Sequence, residues 1–98
     1  MTIYLVTRHP GAADWAMAQG HGDAAIIDHL DTGLVQPGDI VLGTLPVNLA
    51  ADVCQRGGRY FHLSLLLPQE LRGHELSAAE MNSLGAKLVE YVVEEVRS

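Results

Sequence analysis

Ile3-Tyr4-Leu5-Val6-Thr7-Arg8-His9-Pro10-Gly11 decides how the rest of the chain is read. Its first five residues, Ile3 to Thr7, form a β-branched and aromatic run without polar alternation, as in a strand covered on both faces. The run stops at Arg8, and a proline and a glycine follow. Proline suits the first turn of a helix, where the amide it lacks would have no intrahelical acceptor. The stretch therefore predicts a buried strand passing directly into a helix. That helix covers Ala12 to Gln19, with Trp15 as its main anchor, and Gly20 and Gly22 stop it.

The same transition recurs downstream. Ile40 to Gly43 is a second continuous apolar run, and Thr44-Leu45-Pro46 leads it into a helix over Val47 to Arg56. Leu49, Ala50, Val53 and Cys54 lie there at helical spacing, and Gly57-Gly58 closes the segment. Between the two transitions, Ala24 to Leu30 reads as a short strand. Asp31-Thr32-Gly33 and Pro37-Gly38-Asp39 read as turns. Arg59 to Leu66 alternates, with Phe61, Leu63 and Leu65 on one face of a strand and Tyr60, His62 and Ser64 on the other. Leu67 to Leu76 reads as a loop. Ser77 and Glu80 have the spacing of a capping box. The stripe Met81, Leu84, Leu88, Val92 and Val96 predicts that the helix they open continues to near the C-terminus. The expected order is β-α-β-β-α-β-α. It implies a compact Rossmann-like α/β fold: a mostly parallel four-stranded sheet with helices on both faces, residues 1–98 forming one domain.

Composition limits the function. The chain has 98 residues, 48% hydrophobic and 18% charged, with six Lys+Arg against twelve Asp+Glu for a net charge of −6. That balance argues against a coat for long nucleic acid, which needs a broad basic face, but leaves room for one small anion held by local donors. The single cysteine, Cys54, reads as a small buried hydrophobe and can make neither an intrachain disulfide nor a structural zinc site alone. No apolar run approaches the roughly twenty residues of a membrane span, and the N-terminus lacks the pattern of a signal peptide, so a cytoplasmic protein is expected.

In doubly wound sheets ligands sit beyond the carboxyl ends of the strands. The two strand-to-helix turns should meet there, Thr7 to Gly11 beside Gly43 to Pro46, with Ser64 approaching. Helix starts there would offer backbone amides to an anion. Arg8 adds a planar fork suited to phosphate, and His9 can give or take a proton near neutral pH. Thr7 and Thr44 add hydroxyls, although a threonine before a helix is also an ordinary cap. His62 reads as a hydrogen-bonded interior histidine rather than a catalyst. Arg72 and His74 fit either a flap over a ligand or a solvated loop. Asp28, His29 and Asp31, with His21 and Asp23, carry metal-ligand chemistry but no recognised spacing, and read as a solvated strand end; no metal or cofactor is expected.

Leu5-Val6-Thr7-Arg8-His9 resembles the Arg-His-Gly signature of histidine phosphatases, but Pro10 replaces the glycine and the chain has no room for their second histidine. A broader resemblance covers nearly the whole chain: Ile3 to Gly11, Asp28-His29-Leu30, Pro37-Gly38-Asp39, Gly43-Thr44-Leu45-Pro46, Leu49-Ala50-Ala51, His62 to Leu65, Glu70 to Gly73, and Glu75 to Ser77. In these stretches the sequence is similar to a small family of CRISPR-associated proteins encoded in type III loci. The resemblance implies a compact relative of the nucleotide-sensing CARF domains. It further implies a homodimer that binds cyclic oligoadenylate, cyclic tetra-adenylate in particular, and opens the ring to end the antiviral signal. On that reading Arg8 and His9 are the catalytic candidates. Thr7, Pro10, Gly11, Gly43, Thr44, Leu45, Ser64 and Arg72 are the ligand-binding candidates. The expected chemistry is metal-independent attack of a ribose 2′-hydroxyl on its own phosphorus. The alternatives are a sensor or sponge that holds the ring uncut, a phosphomonoesterase with His9 as nucleophile, and a structural subunit pairing through its last helix.

Overall fold

The computed structural model describes residues 1–96. Its elements are β1 (Ile3–Val6), α1 (Pro10–Ala18), β2 (Ala25–Ile27), β3 (Ile40–Gly43), α2 (Val47–Gln55), β4 (Arg59–Ser64), α3 (Ala78–Ser83) and β5 (Lys87–Tyr91). Single 3-10 turns occupy Thr32–Leu34 and Gln69–Leu71. The sheet runs β2-β1-β3-β4-β5, with the first four strands parallel and β5 antiparallel to β4. This is a mostly parallel α/β fold of the Rossmann-like kind. Among the described residues no helix is long and apolar enough to cross a membrane.

Strand alternation divides the core in two. Leu5 and Leu42 face α1 and α3, where they meet Ala12, Trp15, Ala16 and Met81. Val41 and Tyr60 face α2, where they meet Ala50 and Val53, with Leu30 and Val35 closing the edge. Helices thus cover both faces. Trp15 is buried as the anchor of α1, and its indole N–H donates to Asn82 Oδ1 at 2.9 Å, tying α1 to α3. The capping box is complete: Ser77 Oγ accepts from the Glu80 amide, and Glu80 Oε1 accepts from the Ser77 amide, each at 3.1 Å.

Two expectations are corrected. Among the described residues the sheet has five strands, not four, and the last element is a strand rather than a helix. α3 stops at Ser83, and Gly85 adopts a left-handed turn at φ +75° that a continuing helix cannot contain. The next residues then pair with β4, Leu88 opposite Leu63 and Tyr91 opposite Tyr60. Arg59 reinforces the pairing by donating through Nε and Nη2 to the Glu90 carboxylate at 2.8 and 2.9 Å. Val92 and Val96, placed on the helical stripe by the sequence pattern, are exposed beyond β5.

Asp39 is buried, yet its carboxylate is satisfied. It accepts from the Gln36 amide and the Thr2 amide, each at 2.9 Å, joining the turn before β3 to the start of β1. These backbone bonds hold its carboxyl below the ordinary value of 3.8. The folded pKa is therefore lower than the unfolded one. The ionised group stabilises the fold above the unfolded value, and that contribution disappears as pH falls through the folded value. Asp39→Asn should lower stability at neutral pH and flatten its decline in acid, as read from urea midpoints across pH. Gly11 has a different constraint: a Cβ there would lie 1.7 Å from the Leu76 carbonyl oxygen. Gly11→Ala should therefore destabilise the protein by about 1–3 kcal/mol, through forced displacement of packed backbone, in the same denaturation experiment.

Candidate functional site

β1 and β3 are neighbours, but the helices that follow them leave on opposite faces, α1 toward Leu5 and Leu42 and α2 toward Val41. The divergence opens a crevice at the carboxyl ends of the two strands, the place where doubly wound sheets bind ligands. Glycine permits the close approach. Gly43 has φ +151°, and a Cβ on it would lie 2.7 Å from the Val6 carbonyl oxygen.

Two clefts share this crevice. One, of about 400 Å³, has walls of Ala12, Leu65, Leu67, Leu76 and Met81. His9, Thr44, His74 and Glu75 add polar groups to its lining. The second, of about 320 Å³, brings Thr7, Arg8 and His9 beside Asp28 and His29, which follow β2, and beside Thr44 and Leu45. His9 and Thr44 form the common wall. The result is two clefts side by side, both walled mainly by apolar groups (Val6, Leu30, Leu45, Pro46 and Leu49 in the second), of which only the second carries the cation Arg8.

The backbone amides contribute less than the sequence pattern suggests. At the β1–α1 turn the His9 amide donates to Thr7 Oγ1 at 3.1 Å. The Ala12 and Ala13 amides donate to the His9 carbonyl at 3.1 and 3.3 Å. Pro10 has no amide hydrogen, so Gly11 is left as the first-turn donor without an acceptor among the described residues. At the β3–α2 turn the Leu45 amide donates to the Tyr60 hydroxyl at 2.9 Å, and the Leu49 and Ala50 amides donate to the Pro46 carbonyl, each at 3.0 Å. Thr44 is exposed and caps nothing; Pro46 holds the N-cap position. Positive charge must come from side chains. Arg56 is paired with Asp52, and Arg59 with Glu90, whereas Arg8 has no carboxylate partner among the described residues.

Of the residues singled out by sequence, the fold brings together Thr7, Arg8, His9, Thr44 and Leu45. Pro10 and Gly11 open α1 behind them, Gly11 packed under Leu76. Gly43 lies buried against β1. Ser64 ends β4 opposite Lys87 of β5, outside both clefts. Arg72 is exposed on the loop that continues into Gly73, His74 and Glu75, and does not itself line the apolar cleft. Among the described residues no three His, Cys, Asp or Glu side chains converge as a metal set.

Tyr60 is the organising residue that the sequence pattern does not reveal. Its ring is buried and its hydroxyl reaches Leu45, Gly43 and His62. Burial raises its pKa, against the opposing pull of the Leu45 amide. The strand alternation placed Tyr60 and His62 on one face, but which turn that face meets depends on register: His62 pairs with Gly43. Asp28 and His29 were visible as polar residues. The rule that ligands sit beyond parallel strand ends would have brought them to the same crevice.

A strand order of β2-β1-β3-β4-β5, with an open crevice where the chain changes direction between β1 and β3, defines a doubly wound α/β protein whose candidate site is that crevice. Residues 4–94 match the family described as "Putative CRISPR-associated protein (Cas_VVA1548)", and the chain belongs to that family. No curated protein and no solved structure matches it.

Arg8 and His9 are exposed, and neither side chain has a hydrogen-bond partner among the described residues. Arg8→Ala and His9→Ala should each leave the thermal unfolding free energy within about 0.5 kcal/mol of the parent, as for surface residues outside structural contacts. Calorimetry checks this, and equal stability would make both variants clean probes of function.

Proposed function

We propose that this chain is a ring nuclease of the type III CRISPR response, a CARF-like nucleotide-binding domain that opens cyclic oligoadenylate, with cyclic tetra-adenylate as the expected ring. The observation that carries the reading is the joined pair of clefts. A nucleotide needs an apolar slot for a flat base beside a cationic position for its phosphate; a cleft walled by Leu65, Leu67, Leu76 and Met81 that shares His9 and Thr44 with a cleft holding Arg8 supports that reading. Family membership supports a role within CRISPR defence. A cyclic tetranucleotide has repeated symmetry, and a twofold homodimer acting in the cytoplasm would present the same groove twice.

The proposed reaction needs no external nucleophile. A ribose 2′-oxygen attacks its adjacent phosphorus as the bond from phosphorus to the next 5′-oxygen breaks. The 2′-hydroxyl proton passes to a base, and the departing 5′-oxygen takes a proton. The products carry a 2′,3′-cyclic phosphate and a 5′-hydroxyl, and two such cuts turn the tetramer into two dinucleotides. Arg8 neutralises charge growing on the phosphate oxygens, with the Gly11 amide as a backbone donor nearby. His9, at the wall between the compartments, is the proton donor or acceptor. Thr7, Thr44 and Leu45 line the sugar and phosphate path. Ser64 and Arg72 are assigned to the ligand's outer edge. Alignment of the 2′-oxygen with the bond that breaks supplies the remaining acceleration.

One observation favours a second reading. His9 has no side-chain partner among the described residues to orient its imidazole. A sponge that holds the ring intact needs no oriented base. Incubation of the purified protein with cyclic tetra-adenylate in the presence of a chelator, with chromatographic resolution of products, separates the readings. Linear di- or tetra-adenylate is expected, and His9→Ala should slow its formation by about 10²–10⁴-fold, the usual effect of removing a general acid or base. Tight retention of an uncut ring would establish the sponge, and release of inorganic phosphate from simple monoesters would favour a phosphatase.

A further inference from the structure

We propose that His62 is a positioning residue for the groove: its Nδ1–H directs the single proton of the Tyr60 hydroxyl onto the Gly43 carbonyl, and so sets the turn that carries Thr44 and Leu45 into the site. The link to ligand rests on the reading of the groove as the nucleotide site.

The argument is one of proton counting. The Tyr60 oxygen lies 2.9 Å from the Leu45 amide, 3.2 Å from the Gly43 carbonyl oxygen and 2.7 Å from His62 Nδ1. A phenol has one hydrogen to give and an oxygen that accepts. The Leu45 amide can only donate, so it uses an accepting site. The Gly43 carbonyl can only accept, so it needs the phenolic hydrogen. His62 Nδ1 then faces an oxygen with no hydrogen left to offer, and the 2.7 Å contact is a hydrogen bond only when Nδ1 carries its own. All three bonds exist together in that state alone. In the opposite tautomer the phenolic hydrogen turns to Nδ1, and the Gly43 carbonyl loses this bond.

The surroundings hold the ring in place for that role. His62 makes edge contacts with Tyr60, at 5.8 Å between ring centres, and with Tyr91 of β5, at 6.1 Å. The register sets it beside Gly43 on one side and Val89 on the other. The antiparallel strand thereby reaches the strand-end site through two rings, without touching the groove itself.

The test uses the full chain. Nitrogen-detected NMR of the imidazoles should show His62 as the Nδ1–H tautomer. Amide exchange at Leu45 should be slow in the parent and in His62→Asn, whose side-chain amide takes the place of Nδ1. It should be about tenfold faster in His62→Gln, whose amide reaches the Nε2 position instead: the Leu45 bond can still form there, but the Tyr60 oxygen loses the His62 bond that holds it over the turn, so the turn opens more readily by the worth of one ordinary hydrogen bond. Affinity for cyclic tetra-adenylate should follow the same order. An Nε2–H tautomer, or parental Leu45 protection in His62→Gln, would overturn the proposal, and the tautomer measurement decides it even where a variant fails to fold. Absence of any ring binding by the parent protein would overturn the groove's assignment, while the exchange pattern would separately decide whether His62 sets the turn.

Discussion

The Val6 carbonyl oxygen lies 2.7 Å from the point where a side chain on Gly43 would begin, and the strand-end site depends on that position being empty. β1 and β3 are in parallel register with Val6 beside Gly43. Any side chain there would meet Val6 backbone and would also require a φ that L-residues avoid. With the glycine in place the two turns leave side by side, one to each face of the sheet. The diverging helices then hold apart the walls of the crevice. Gly11 performs the same service one layer out, bringing the start of α1 against the Leu76 carbonyl and so setting the loop residues His74 and Glu75 over the apolar cleft.

An acidic protein can hold a polyanion because charge acts locally. The net charge of −6 describes the whole molecule, but at physiological salt exposed charges more than about 8 Å apart are largely screened. What matters at the groove is that Arg8 makes no ion pair among the described residues, although Asp28 lines the same cleft, while Arg56 and Arg59 are committed to Asp52 and Glu90. The cost of this arrangement falls on encounter rather than on the bound state, since an acidic surface does little to draw an anion in from a distance.

The parts of the fold legible in sequence were those written in local chemistry. The Thr7-to-Gly11 transition, the capping box at Ser77 and the alternation in Arg59 to Ser64 all appear where their residue types place them. β5 was hidden because Met81, Leu84, Leu88 and Val92 satisfy a helical period by coincidence. Gly85 and the β-branched residues after Leu88 were the competing signal, and the pairing with β4 made it prevail. Arg8 and His9 were legible as groove candidates because they sit on the transition itself. Tyr60 was not, since its significance lies in a hydroxyl crossing to a turn fifteen residues away in sequence. A periodic pattern reports which face a residue occupies, not what faces it.

The hydrogen-bond accounting also shifts where recognition must come from. A helix start normally presents several amides to an anion. Here Thr7 and Tyr60 have already taken the His9 and Leu45 amides at the crevice. The turns are thus stiffened by the bonds that would otherwise have bound a ligand. A simple phosphate would find little there beyond Arg8 and the first-turn amides of Gly11, Val47 and Asn48, which have no acceptor among the described residues. A ligand that spans both compartments would gain the apolar walls of Leu65, Leu67, Leu76 and Met81 as well. Selectivity in the proposed function therefore rests on shape across two rigid turns more than on charge at either one. On that reading, shape would separate a cyclic nucleotide from small anions.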